Sequence, residues 1–352
     1  MEKNKKVSIS TIFYAVASVA IGLLVIFSVI IYGFGVDNGL TKKATAIFPY
    51  PAIVIDGVHF ISMRDLQENV AAVRKFYENQ DFSKLGFTAD FNSDEGRKML
   101  KVKERDLMIK LVENKIIEIT ANESGIKITP AMIADEVEKR RTQYGTTDGL
   151  ENNLKNLYGW TLEDFKEKVV KPDMYKQILS ADMRKTDVRW IEAKKKIEKA
   201  QARLGASQDF NSVAKDVSDG ESAKNGGALG WFSYDQMLPE IATTALALNV
   251  NQQSEIIESS LGYHIIRVED KKKEDGVEKV KLSQIFIRAR TFSEWLLEKE
   301  KNVRILVLLR GMSWNGDGGI DFTADDMRNF EANVKKESAG GASSSLGQLL
   351  DK

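Results

Sequence analysis

The sequence predicts an α+β protein with three parts: a single membrane-spanning helix, a helical region, and a domain in which helices flank an antiparallel sheet. Three observations lead to this prediction. Residues Ile12–Phe34 carry no charge, and apolar residues recur at helical spacing between Ser93 and Glu123. A third stretch, Ser218–Val268, combines closely spaced glycines with the alternation that is typical of strands.

The composition of the 352 residues excludes several classes of protein. Lys and Arg together number 51, as do Asp and Glu, so no overall field favours nucleic acid as a partner. The chain has no cysteine, which excludes disulfides, thiolate catalysis and thiolate metal sites. Its two histidines, His59 and His264, are too few for a histidine-rich metal site. We therefore expect neither a metal nor a cofactor, in a chain long enough for two or three domains.

The uncharged stretch Ile12–Phe34 is long enough to cross a bilayer. At 1.5 Å per residue, about 23 residues span roughly 34 Å, against a hydrocarbon core of about 30 Å. Three lysines precede the stretch and Asp37 follows it, which predicts a cytoplasmic amino terminus and an extracytoplasmic remainder. A cleaved signal peptide would have a shorter apolar region and a cleavage site of small residues. We therefore predict a retained anchor over residues 1–36.

Residues 37–188 are predicted to form a mainly helical domain. Pro51–Ser62 contains two short strands separated by the turn signal Asp56-Gly57, and Ser62 then caps the helix that follows. Further helices are predicted over Ser93–Glu123, Ala131–Tyr144 and Asp148–Tyr158, and a fourth begins at Thr161. His59 lies in the hairpin and is assigned no functional role.

The stretch Ser218–Val268 carries the strongest local signals. The pair Gly226-Gly227 marks backbone that needs positive φ or a close approach to another segment. Met237–Leu248 has the pattern of a short helix, with a proline allowed in its first turn. Gly262 then opens an alternating run that predicts a strand.

The order of motifs in this part of the chain resembles that of a known family. Phe-x-x-Val-Ala-x-x-x-Ser (Phe210–Ser218) is followed by GGALGWF (226–232), a Met-x-Pro helix and GYHIIRV (262–268). These motifs resemble the parvulin-type peptidyl-prolyl isomerases, which predicts a parvulin-like domain over residues 189–315. The chain as a whole is similar to the membrane-anchored or periplasmic foldases of that family, the SurA-, PpiD- and PrsA-like proteins. Its helical region resembles their chaperone domain, with a generic helical spacer as the alternative.

The resemblance implies a site that twists an X-Pro amide. Rotation about a peptide bond has a barrier of about 18–20 kcal/mol. A catalyst needs an apolar slot for the proline ring and polar groups that favour the twisted amide. By motif, Leu229, Met237 and Ile241 line the slot, and the family usually has Phe at the position of Ile241. His264 matches the family's strand histidine, and Ser259 takes the position of its usual Thr.

Two departures from the family pattern indicate weak or absent isomerase activity. Gly220 stands where the family has Cys or Asp beside the twisting carbonyl. The family's first strand, which carries another histidine, is not found before the helix predicted at Asp187–Ile197. A matching segment comes later, at Val280–Arg290, with Gln284 in the place of that histidine. Either this segment completes the sheet, as in a circular permutation, or it begins a truncated second parvulin domain.

The permutation hypothesis makes a specific demand on the sheet. Ile285 and Ile287 must pair beside the strand Tyr263–Val268, with the polar linker Asp270–Lys279 as the turn between them. After a last predicted strand, Gly- and Ser-rich composition predicts a flexible tail over residues 316–352.

The predicted function is that of a membrane-anchored, extracytoplasmic foldase that binds unfolded or newly translocated polypeptides. Gly220 and Gln284 remove two polar members of the family's site, so His264, Ser259 and Gln284 are expected to give weak isomerase activity or none. The alternative is a non-catalytic chaperone or interaction module of a translocation or envelope complex, which uses the parvulin fold only for binding. The sequence leaves the clients, the oligomeric state and the type of envelope open.

Overall fold

The computed structural model describes residues 9–36, 38–79, 90–144 and 147–339. The chain divides into two compact units. Residues 177–296 form one of them, which we call the sheet unit. The residues before 177 and after 296 form the other, which we call the helical unit.

Helices and strands of both units confirm the α+β class. The helices are α1 (Ile9–Ser28), α2 (Gly39–Ile47), α3 (Met63–Asn79), α4 (Asp94–Glu123), α5 (Pro130–Tyr144), α6 (Thr147–Asn153), α7 (Leu162–Phe165), α8 (Lys171–Thr186), α9 (Val188–Gly205), α10 (Phe210–Val217), α11 (Pro239–Ala247), α12 (Phe292–Lys301) and α13 (Asp325–Ala339). The strands are β1 (Pro51–Ile55), β2 (His59–Ser62), β3 (Ala228–Ser233), β4 (Ile257–Glu258), β5 (Gly262–Glu274), β6 (Val277–Arg288), β7 (Ile305–Val307), β8 (Met312–Trp314) and β9 (Ile320–Phe322). Short π-helical stretches follow α1, α6 and α7.

The hairpin predicted near the start of the helical unit is confirmed. β1 and β2 pair antiparallel, and Asp56 (φ 51°) and Gly57 (φ 74°) adopt the left-handed conformation that tight turns use. β7 pairs with the other edge of β1, so the strand order is β2-β1-β7. A strand from the far end of the chain thus completes the sheet that the hairpin begins.

The predicted helix starts in the helical unit are confirmed by capping contacts. Ser62 Oγ accepts a hydrogen bond of 3.0 Å from the backbone N–H of Asp65, and Ser93 caps α4 in the same way. Thr161 and Asp164 form a reciprocal capping box at the start of α7. These side chains satisfy backbone donors that the first turn of a helix leaves without partners.

The predicted membrane anchor corresponds to α1 and the π-helical stretch after it. Across the described ranges, no helix combines the length and the apolarity needed to cross a membrane. The predicted single-pass anchor at Ile12–Phe34 is therefore not supported. The lysines that precede it and Asp37 lie outside the described residues.

The sheet unit contains a four-stranded antiparallel sheet in the order β3-β6-β5-β4. β6 therefore lies between two other strands. Tyr263 pairs with Ile287 and Ile265 pairs with Ile285, as the permutation hypothesis demands. The late segment thus completes the sheet, and the alternative of a truncated second domain is wrong.

Hydrogen bonds hold β6 on both of its sides. One edge of β6 pairs with β5 along the whole length of β6. On the other side β3 pairs with its first half, and the backbone N–H of Gln284 then donates to the carbonyl oxygen of Gly227 at 2.8 Å. The backbone N–H of Phe286 donates to Ser218 Oγ at 3.0 Å. Because buried backbone groups require partners, these bonds fix β6 as a central strand.

The two faces of this sheet bury different clusters, because side chains alternate along a strand. One face packs against α9 and α10, and its buried strand residues are Tyr263, Ile265, Ile285 and Ile287. The other face packs against α11, and its buried strand residues are Ile266, Val268, Val280 and Leu282. The second cluster borders the candidate site.

The compact unit spans residues 177–296, whereas the predicted domain spans 189–315, and β7 hydrogen-bonds to β1 of the helical unit. The polar segment 270–279 contains the predicted turn between antiparallel neighbours. β5 and β6 extend through it to a tight turn at Asp275-Gly276, where both residues have positive φ.

The prediction of a flexible tail from residue 316 is wrong for the part that the structure describes. This segment contains β9 and α13. Val334 is buried in an apolar cluster with Tyr77 and Met99, and Phe330 packs against it. Residues 340–352 lie outside the described ranges.

Glu300 on α12 is a buried carboxyl group in the helical unit, with 4 % of its surface exposed. Its Oε1 has no hydrogen-bond partner among the described residues. Burial, and secondly the charge of Glu113, raise the pKa of Glu300 to about 7. The nearby Gly318 leaves room for this carboxyl, since a Cβ there would lie 2.8 Å from Oε2.

We expect Glu300 to make the protein less stable as the pH rises from about 4.5 to about 7. In this window the unfolded chain releases the Glu300 proton and the folded chain keeps it, at a cost on the order of 3 kcal/mol. The thermal unfolding midpoint of the full chain should therefore fall between pH 5 and pH 8 in the wild type, but less in Glu300→Gln. The exposed Glu123→Gln serves as the control, and an equal fall in all three proteins would contradict the expectation.

Candidate functional site

The candidate site lies on the sheet face that α11 covers in part. Ile266 and Leu282 are buried in the cluster with α11, whereas Gln284 and Phe286, further along β6, are half-buried. His264 of β5 lies opposite Phe286 in the strand pairing. Strand alternation therefore brings His264, Gln284 and Phe286 to one surface beside the apolar cluster.

His264 is almost fully buried, with 3 % of its surface exposed, and two contacts hold its ring. Its Nε2 lies 2.7 Å from Ser259 Oγ. The imidazole also stacks on the ring of Phe286, with centroids 4.7 Å apart and planes inclined by 19°. The structure thus joins the histidine and the serine that the motifs assign to the site.

Two glycines permit the close backbone approach on which the site depends. At Gly227 (φ 85°) a Cβ would lie 2.4 Å from the carbonyl oxygen of Gln284. At Gly262 (φ 142°) a Cβ would lie 2.2 Å from the carbonyl oxygen of Ile287. Any larger residue at either position would push β6 away. The prediction that the pair Gly226-Gly227 marks positive φ or a close approach is confirmed, since Gly226 also has positive φ (69°) and a Cβ there would lie 2.7 Å from Cβ of Asn211.

Burial lowers the pKa of His264, and the neighbouring amide of Gln284 and the charge of Glu240 oppose this effect only in part. The imidazole is therefore neutral at pH 7. Ser259 Oγ also accepts a hydrogen bond of 3.0 Å from the backbone N–H of Leu261, which holds the hydroxyl in place. A neutral imidazole offers one donor and one acceptor, so the site contributes polarity without charge.

Two of the three residues predicted for the proline slot lie together. Ile241 on α11 is buried, and Met237, just before α11, packs against the same cluster. Leu229 is outside this cluster and is 37 % exposed. The pairing of β3 with β6 is irregular between Ala228 and Gly230, so regular alternation does not govern the direction of Leu229.

Gly220 leaves an open position beside Phe286. A Cβ at Gly220 would lie 3.7 Å from Cδ1 of Phe286 and 3.8 Å from Ser218 Oγ, which is ordinary van der Waals contact. Its φ of −77° suits any residue. A side chain at position 220 is therefore sterically acceptable, and the glycine is not imposed by the fold.

Phe286 is the site residue that the sequence reasoning missed. Gln284 and Phe286 are two positions apart on a predicted strand, and such residues share a face. Alternation alone therefore assigns Phe286 to the site once Gln284 is there. The family motifs gave no reason to look for an aromatic ring at this position.

Comparison with known proteins agrees with this geometry. Residues 178–270 match the rotamase family described as PPIC-type PPIASE domain. A foldase protein PrsA from Geobacillus kaustophilus is 32% identical over 173 residues, which cover 44% of this chain and 60% of the relative. A chaperone SurA from Methylobacillus flagellatus is 35% identical over 115 residues, which cover 31% of this chain and 26% of the relative. The chain thus spans less than two thirds of the length of either relative.

The crystal structure of PrsA from Bacillus cereus is also similar to this chain. It covers 63% of this chain and 77% of its own, at 22% sequence identity and a TM-score of 0.22. A score of this size supports no comparison of coordinates, and the sequence matches carry the relationship.

Residues 178–270 are therefore similar to a parvulin-type peptidyl-prolyl isomerase domain. Parts of the chain are similar to the PrsA and SurA foldases, and the resemblance predicted from its motifs is confirmed. The family match ends at residue 270, before β6 begins. The strand that completes the sheet thus comes from outside the matched region, as expected for a permuted order of strands.

We expect His264 to make the protein less stable as the pH falls below about 6.5. Above this pH the contribution of His264 to the free energy of unfolding is fully present. As the pH falls toward the lowered pKa of the folded state, the unfolded chain binds a proton at this histidine and the folded chain does not, which favours unfolding. Thermal unfolding of the full chain near pH 7.5 and pH 5.5 measures this change. His264→Asn should weaken the pH dependence and the exposed His59→Asn should keep it. Equal pH dependence in the two variants would contradict the assignment.

Proposed function

We propose that the protein is a foldase that binds unfolded polypeptides and that its sheet unit isomerises X-Pro bonds weakly. One observation carries the proposal: an apolar wall, Met237 and Ile241, belongs to the cluster on the same sheet face as the polar residues His264, which contacts Ser259, and Gln284. An isomerase needs these two environments side by side, because the proline ring is apolar and the amide beside it is polar.

The proposed mechanism breaks no bond. The apolar wall holds the pyrrolidine ring and removes water from the neighbouring carbonyl. Rotation localises the lone pair on the amide nitrogen, so a donor directed at this nitrogen stabilises the twisted form more than either planar form. The amide group of Gln284 supplies this donor, and the neutral His264, held by Ser259, lies on the same sheet face and adds polarity without charge.

The proposed activity is weak for two physical reasons. Gly220 offers no side chain beside the twisting carbonyl, so one polar interaction of the transition state is missing. Ile241 presents a smaller apolar surface than an aromatic ring and holds the proline less firmly. Each loss raises the barrier, and a factor of ten in rate corresponds to about 1.4 kcal/mol.

The helical unit offers a second surface for unfolded polypeptide. A cleft of about 290 Å³ lies among β2, α3, α4 and α8. Its apolar lining consists of Phe60, Ile61, Leu111, Pro172 and Tyr175. Charged residues around it pair with one another, as Lys115 does with Glu118 at 2.9 Å and Lys171 with Glu167 at 2.8 Å. A neutral apolar side chain therefore suits the cleft better than a charged ligand.

A non-catalytic chaperone or interaction module is the second candidate. The absence of a side chain at Gly220 favours this second candidate, because the backbone there would accept a side chain without strain. In this case the same apolar wall would bind client segments and leave the rate of isomerisation unchanged.

An isomerisation assay on the full chain separates the two candidates. The wild type should accelerate the cis/trans exchange of a prolyl peptide above background, and Met237→Ala should lower kcat/KM by roughly tenfold. Gly220→Asp should raise the rate, since a carboxyl group returns a polar partner to the site. Met132→Ala, on the exposed face of α5, is the matched control and should change nothing. A rate at background in every variant, with aggregation of an unfolded client still suppressed, would exclude the enzyme and favour the module.

We also propose that Ile12–Phe34 attaches the chain to a membrane, with the bulk of the chain outside the cytoplasm. The support is the sequence, which has no charge over this stretch. The full chain should then sediment with membranes and resist extraction at high salt. Ile21→Lys combined with Val25→Lys should release it, because charges in an apolar span are unfavourable. A wild-type chain that remains in the supernatant would exclude the attachment.

A further inference from the structure

Phe286 differs from the other residues of the site because it presents an aromatic ring on a rigid base. Its backbone N–H donates to Ser218 Oγ at 3.0 Å, and its carbonyl oxygen accepts from the backbone N–H of Asp219 at 2.7 Å. One side of the ring stacks on His264. The side chain is nevertheless only half-buried. A ring held in this way can receive a ligand without losing much conformational freedom.

The order of side chains along β6 matches the order of groups along an X-Pro segment. Leu282 belongs to the apolar cluster with Ile241, Gln284 is the polar residue, and Phe286 comes next on the same face. Alternate residues of a strand are about 7 Å apart. When the proline ring lies against the apolar cluster and its amide lies at Gln284, the residue before the proline lies nearest to Phe286.

Gly220 gives the residue before the proline room to lie against the ring. A side chain at position 220 would begin 3.7 Å from Cδ1 of Phe286 and would cover that edge. Without one, the edge stays open. The next residue on this face, Arg288, is paired with Glu294 at 2.5 Å, so its charge is already compensated. The surroundings of the ring thus favour a large apolar group over a charged one.

We propose that Phe286 is a specificity-determining residue that selects prolines preceded by a large apolar or aromatic residue. The proposal rests on the proposed function, since it concerns the same site. Ile241 offers the proline ring less contact surface than an aromatic residue would. The ring of Phe286 offers contact surface on the other side of the amide, to the residue before the proline. An aromatic pair in such an arrangement adds to the free energy gained by burial of apolar surface.

The test uses the full chain and short peptides that differ only in the residue before a single proline: Phe, Leu, Ala or Glu. Binding is measured by titration, and isomerisation is measured by exchange NMR. The wild type should bind the Phe peptide about tenfold more tightly than the Ala and Glu peptides. Phe286→Leu, which keeps an apolar side chain of similar volume, should reduce the preference for Phe over Leu. Phe286→Ala should bring the four affinities together.

Val277→Ala provides the matched control, because Val277 is 47 % exposed on the same strand and lies at its other end. It should keep the wild-type order of affinities. Equal affinity of the wild type for all four peptides would overturn the role of Phe286 and leave the proposed function intact. Failure of the wild type to bind any of them would instead count against the proposed function itself. A preference that survives in Phe286→Leu and Phe286→Ala would assign the selection to another residue.

Discussion

The structure of the sheet unit depends on the hydrogen bonding of β6 along both of its edges. β5 covers one edge, and β3, Gly227 and the segment at Ser218 share the other. An edge strand could be lost with limited damage, but removal of a central strand would leave two rows of backbone groups without partners. At positions 227 and 262 a Cβ would collide with the backbone of this strand, so both glycines are required for its close approach.

The position of β6 also determines the chemistry that the site can perform. Because successive side chains point to opposite faces, one set of β6 residues enters the core with α9 and α10, and the other set passes from the apolar cluster into the site. β6 therefore contributes Leu282 of the apolar cluster, the polar Gln284 and the aromatic Phe286 in that order. A neutral histidine opposite the ring adds polarity to the surface without adding a charge.

The parts of the fold that the sequence predicts are those with local signals. The caps at Ser62 and Thr161, the hairpin turn at Asp56-Gly57 and the glycine pair before β3 each depend on a few neighbouring residues. The pairing of β7 with β1 joins segments about 250 residues apart and has no such signal. Helix α13 was missed because the Gly- and Ser-rich composition beyond it dominated the interpretation of the tail. For the candidate site, motif order pointed to His264 and Ser259, whereas Phe286 could be assigned only from the side of the strand on which it lies.

The two ends of the sheet unit are fastened to each other. Trp190, near the start of α9, donates from Nε1 to the carbonyl oxygen of Arg290 at 2.7 Å, and the guanidinium of Arg290 pairs with Asp187 at 3.3 Å. All three residues are largely inaccessible to solvent. An inserted module whose termini meet can be exchanged or deleted with little strain on the host chain. A pulling force applied to the two ends of the unit would therefore act first on the contacts of Arg290 with Trp190 and Asp187, and only then on the strands of the sheet.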